Sequence, residues 1–191
     1  MRPPIVRKRR PDKTLLYYQV RRAASSAIQV VLGTDFIREK AAELEPNAYR
    51  FTMYRNTFDR FRSLFYCFVD PAPLGALDFG LHGYIGSFPK FIFAICDQTR
   101  DEDCNDHLHS QDWHLVEPTM NVFQFPATKS IARTIGIDIP PFAQSFSEPA
   151  SFLHYSGPME SAMKRRFGAE IHEFGYLDKN KASHTTLSKR R

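Results

Sequence analysis

The chain has 191 residues and a mass of 22.1 kDa, enough for one ordinary domain that buries roughly 70% of its extended surface without metal or disulfide staples. Hydrophobic residues at 42% and charged residues at 25% are near globular averages and argue against wholesale disorder. The formal charge of +5 is uneven: residues 1–13 carry six basic groups against Asp12 alone, residues 179–191 carry five with no acid, and the middle is left at −5. That partition disfavours a folded surface that coats nucleic acid and confines phosphate attraction to the two ends.

Residues 1–13, with Pro at 3, 4 and 11, cannot form a continuous helix and are expected to be an extended basic arm. Arg7, Lys8, Arg9 and Arg10 are its candidate contacts to anions or a partner. From Thr14 the pattern turns helical. Leu16, Val20, Ala23 or Ala24, Ala27 and Val31 recur at helical spacing, with Arg21, Arg22, Ser25 and Gln29 largely on other faces. Eight Lys or Arg against one acid in residues 1–34 resembles the composition of a mitochondrial presequence. A basic amphipathic helix also suits lipid headgroups or a partner helix, and an ordinary first helix packed on the core explains the same pattern. The compact apolar run of a secretory signal is missing.

Gly33 ends that pattern, and Thr34 or Asp35 is placed to cap a short helix running to Leu44, closed by Pro46. Between Asn47 and Phe65 the aromatic residues Phe51, Tyr54, Phe58, Phe61 and Phe65 repeat every three or four positions, while Arg50, Arg55, Asp59, Arg60 and Arg62 supply polar surface. The spacing predicts an amphipathic helix whose aromatic stripe is a core or partner face. Asp59 and Arg62 are spaced for an i,i+3 pair.

From Asp70 the chain is rich in Pro and Gly up to the apolar run at 91–96. Prolines, glycines, Asp78 and Lys90 interrupt it too often for a membrane span, which needs about 20 continuous apolar residues, so a buried irregular or interfacial segment is expected. Gly80, Gly83 and Gly86 match neither phosphate-loop spacing and read as close turns. Cys104, His107, His109 and His114 supply donors for a tetrahedral zinc site, with Cys96 as a further ligand, but the spacing from Cys96 to Cys104 is not that of a short zinc knuckle. A polar loop holding no metal is the preferred reading. Cys104, His107 and Asp101 or Asp103 contain the atoms of a nucleophile, base and orienter, yet nearness in sequence does not supply their geometry. Cys67 reads as a buried thiol.

Beyond Trp113, residues 120–125 alternate as a strand stopped by Pro126, and Thr128–Thr134 suits a short helix with Gly136 as its C-cap. Residues 137–158 have no sustained period. A last helix is expected from Pro158 through Met159, Ala162, Met163 and Phe167 to Gly168, with Lys164, Arg165 and Arg166 in its final turns. Lys189, Arg190 and Arg191 close the second basic tail.

The fold expected from these segments is mainly α with irregular segments: a small helical core spanning residues 14–178, extended arms at 1–13 and 179–191, and room for one short strand pair. The expected role is a structural accessory subunit of a mitochondrial inner-membrane respiratory or ATP-synthase complex, touching other subunits and anionic lipid. The alternative is a mitochondrial ribosomal protein that binds rRNA through its basic arms and packs on ribosomal proteins. Neither reading involves an enzyme, a cofactor, a metal or a small-molecule substrate.

Overall fold

Ile5–Arg9 and Thr14–Tyr18 are rich in branched and aromatic residues, and the Pro11-Asp12 turn between them folds them into an antiparallel hairpin, β1 and β2. The turn is closed by the Arg10 N–H donating to the Lys13 carbonyl at 3.0 Å. These strands belong to a computed structural model that describes residues 5–20, 23, 25–66, 87–97, 107–111, 120–125, 128–137, 153–172 and 185–186. The chain divides into two compact units, one built from 1–55, 111–142 and 178–191 and the other from 56–110 and 143–177.

The first unit is a mixed β-sheet with helices. Its further elements are α1 (Ser25–Leu32), β3 (Phe36–Ile37), α2 (Glu39–Glu43) and β4 (Tyr49–Tyr54). The strands run in the order β3-β1-β2-β4-β5, where β5 is Asn121–Gln124, and a short β6 at Thr185–Thr186 adds to the β5 edge. β2, β4 and β5 are mutually parallel, with Leu15 opposite Tyr49 and Phe51 opposite Asn121. A parallel pair needs a crossover, which the α1–β3–α2 segment provides between β2 and β4.

Both sheet faces are covered. On one, Leu15, Tyr17, Phe51, Met53 and Phe123 pack with Ile28 and Leu32 of α1 and with Ile131 and Ile135. The last two belong to the helix Thr128–Ile135, which follows β5 in the chain. On the other face Ile5, Leu16 and Tyr18 meet Ile37, Ala42 and Met120.

The second unit is helical in its described residues. It holds α3 (Thr57–Leu64), α4 (Phe88–Asp97), α6 (Gly157–Arg166) and α7 (Gly168–Glu170), the label α5 belonging to the first unit's helix Thr128–Ile135. Its core is aromatic: Phe61 lies 4.8 Å from Phe167, and Phe65 lies 5.2 Å from Phe88 and 5.5 Å from Phe91, ring centre to ring centre. Arg60, wholly buried, donates from Nη2 to the His109 carbonyl at 2.6 Å and lies over the Phe61 ring.

The expectation of a mainly helical chain with extended arms is corrected on three counts. Residues 5–9 are a sheet strand, not a free arm, because Ile5 and Val6 are apolar enough to be buried. Thr14–Tyr18 is a strand rather than the start of a helix, and α1 begins only at Ser25. The single helix expected from Asn47 to Phe65 is a strand and then a helix, divided at Asn56, whose side chain accepts from the backbone N–H of Phe58 and Asp59. Strand β4 has neighbours on both edges and is buried over its last four residues, so it lacks the apolar–polar alternation that reveals a half-exposed strand. Residues 88–97 are helical rather than irregular.

Candidate functional site

The basic residues expected to reach outward are tied into the fold. Arg7 Nε donates to Asp35 Oδ2 at 2.8 Å, its Nη1 reaches Glu45 Oε1 at 3.4 Å, and Arg9 Nη2 donates to the same Glu45 oxygen at 3.1 Å. The hydrogen bond from Arg7 holds the Asp35 carboxyl below the ordinary aspartate range, and Asp35 in turn raises the guanidinium. Lys8 Nζ donates to the Val31 carbonyl in the last turn of α1, and Arg10 Nη1 donates to the Ile135 carbonyl at 2.6 Å at the end of α5. Each places a cation on the carbonyl end of a helix, where the helix dipole favours it.

Of the aromatic candidates, Phe51 and Tyr54 are buried in β4, Phe61 and Phe65 are buried in the second unit, and Phe58 is half-buried against Tyr155. They form two interiors rather than one stripe. Lys189, Arg190 and Arg191 lie outside the described residues, as do Cys67, Cys104, His114, Asp101, Asp103 and the glycines at 80, 83 and 86. Among the described residues no three His, Cys, Asp or Glu side chains converge on a metal position. His107 and His109 present backbone carbonyls to Arg60, and Cys96 Sγ sits 3.7 Å from Met163 Sδ, where burial pushes its thiol up to about 11.

A different constellation lies at the carboxyl ends of the parallel strands. In an open sheet, ligands settle outside the carboxyl ends of parallel strands, and a following helix directs its unsatisfied N–H groups toward that edge. The chain leaves β2 through Gln19 and Val20, turns by a hydrogen bond from the Ala23 N–H to the Val20 carbonyl at 3.2 Å, and enters α1 at Ser25. No acidic residue occupies the first turn of α1. The sequence of this link includes Arg21 and Arg22, which lie outside the described residues. Gln19 is 1% exposed, and its Nε2 finds no hydrogen-bond acceptor among the described residues.

At the tip of the adjacent strand, Arg55 is the first residue beyond β4. Its backbone N–H donates to Gln111 Oε1 at 2.8 Å, and its carbonyl accepts from Gln111 Nε2 at 2.7 Å. The guanidinium lies over the Phe125 ring, 4.9 Å from its centre. Phe125 is placed in turn by its N–H donating to the Tyr54 carbonyl at 2.8 Å, which carries the β4–β5 ladder past its last paired residues. Gln19, the start of α1 and Arg55 thus all follow the carboxyl ends of neighbouring parallel strands, and of these the Arg55 guanidinium is the group that complements a negative charge.

No protein-family model, no curated protein and no solved structure matches the chain.

Sequence reasoning singled out neither Gln19 nor Gln111, and it assigned Arg55 to the polar face of a helix. The signal available was the run Thr14–Tyr18 followed by Gln19, two arginines and the small residues Ala23 to Ala27, the order of a strand, a turn and a helix start.

Proposed function

We propose that the protein binds a phosphate-bearing ligand at the carboxyl edge of β2, β4 and β5. The observation that carries this reading is Arg55, a guanidinium oriented on Phe125 at the tip of β4, with its backbone gripped by a buried glutamine. Gln19, a buried amide just beyond β2 whose Nε2 has no acceptor among the described residues, supports it. Arginine suits this task because its planar fork stays charged at any physiological pH and matches two oxygens of one phosphate. The proposal concerns binding and assigns no bond-making step.

Calorimetric titration with inorganic pyrophosphate tests it. Arg55→Ala is expected to weaken binding at least about tenfold, the loss of one charge-assisted hydrogen bond, while Arg9→Ala leaves the affinity unchanged. Equal affinity in wild type and R55A would overturn the assignment.

A second reading keeps the accessory-subunit role in a mitochondrial inner-membrane complex, favoured by Val30 and Leu44, apolar side chains 78% and 81% exposed on the first unit. No helix among the described residues is long and apolar enough to cross a membrane. A cleaved presequence extending past Tyr18 would remove β1 and β2 from the sheet. Binding rRNA through Arg7, Arg9 and Arg10 would require those side chains to exchange their present partners for phosphate. Mild detergent extraction with and without nuclease separates these roles: co-migration with inner-membrane subunits after RNA removal supports the accessory role, and loss of the assembly with RNA supports the ribosomal one.

A further inference from the structure

We infer that Gln111 is the positioning residue of this edge, acting on the ligand through Arg55; the inference rests on the phosphate-binding reading above. Strand β2 pairs with β4 only as far as Tyr18 opposite Thr52, so β4 runs beyond its neighbour by the time the chain reaches Arg55. On the other side the ladder to β5 ends at Tyr54 opposite Gln124. The N–H and carbonyl of Arg55 thus lie past the last residues paired on either flank, where buried backbone groups need a partner from elsewhere. Gln111 supplies both from one side chain. Its carboxamide has the same donor and acceptor as a peptide group, so it stands in for one residue of a neighbouring strand, with hydrogen bonds of 2.8 and 2.7 Å.

This arrangement fixes the backbone of Arg55 and with it the direction in which its side chain departs. The guanidinium then lies over Phe125. Gln111 is itself 1% exposed, so water does not compete freely for the amide. A residue in this position need not touch the ligand to control affinity, because a guanidinium that must first be ordered binds more weakly than one already in place.

Three proteins test this: wild type, Gln111→Leu, which removes both hydrogen bonds at similar volume, and Gln111→Glu, which as a carboxylate keeps an acceptor for the Arg55 N–H but loses the donor to its carbonyl. Arg55→Ala is the control for the site itself. Pyrophosphate affinity is expected to fall about tenfold in Q111L and at least as far in Q111E, whose carboxylate repels the Arg55 carbonyl and the anion, with thermal unfolding showing all variants folded at the titration temperature. The second readout is the Arg55 Nε–H proton resonance, which the Phe125 ring current shifts in the wild type. That shift should collapse in Q111L without added ligand, a change that a general loss of stability does not produce below the unfolding transition. Should Q111L fail to fold, Q111E carries the same two readouts.

The outcomes separate the two claims. Pyrophosphate bound equally by wild type and R55A, or by neither, removes the binding site and this inference with it. Wild-type binding lost in R55A but retained in Q111L and Q111E, with the Arg55 resonance unmoved, leaves the site standing and overturns the role given to Gln111.

Discussion

Asp35 and Arg7 show how a charge that looks outward in sequence becomes structural. The folded carboxyl is held below its ordinary range, so the pair stabilises the fold fully above the unfolded-state pKa of about 4 and loses its contribution as pH falls through the lowered folded value. Urea midpoints of wild type and Asp35→Asn should therefore differ near neutral pH and converge as the pH falls through the lowered folded value. Cys96 gives a second test at this scale. With its thiol pushed up to about 11, only about one molecule in a thousand is a thiolate at pH 8, so alkylation in a C67S/C104S background should be slow in the native protein and accelerate on unfolding. Equal rates in native and unfolded protein would contradict the half-buried site beside Met163.

Helix ends carry much of the organisation at the scale of elements. Asn56 caps α3 by accepting from two backbone N–H groups, and Asn56→Ala should cost about 1 kcal/mol in a chemical-denaturation measurement. Lys8 and Arg10 cap the carbonyl ends of α1 and α5, so each Ala substitution should cost about 0.3 to 1 kcal/mol, an effect that a free arm would not show. Several ends were readable from sequence because their signals are local. Gly33 and Gly136 have positive φ, at +92° and +65°, directly after α1 and α5, and Pro158 lies at the start of α6. The strand at Asn121–Gln124 falls within the expected 120–125. Strands β2 and β4 were misread because burial on both faces erases the two-residue period. Phe51, Tyr54, Phe58, Phe61 and Phe65 keep helical spacing across a strand–helix junction, although Phe51 belongs to one unit and Phe61 to the other.

For the whole molecule, charge and aromatic content have changed meaning. The basic N-terminal segment is part of a sheet that brings three carboxyl strand ends together, and its guanidinium groups meet carboxylates and helix ends. The candidate site was hidden because it joins Gln19, Arg55 and Gln111, residues that only tertiary pairing brings to one edge, and none of them belongs to a short motif. The most direct test of the central claim is a two-dimensional amide NMR titration with pyrophosphate. The account predicts the largest shifts at Gln19, Val20, Ser25, Arg55 and Phe125. Shifts centred on Arg7–Lys13, or none at the strand ends at saturation, would contradict it.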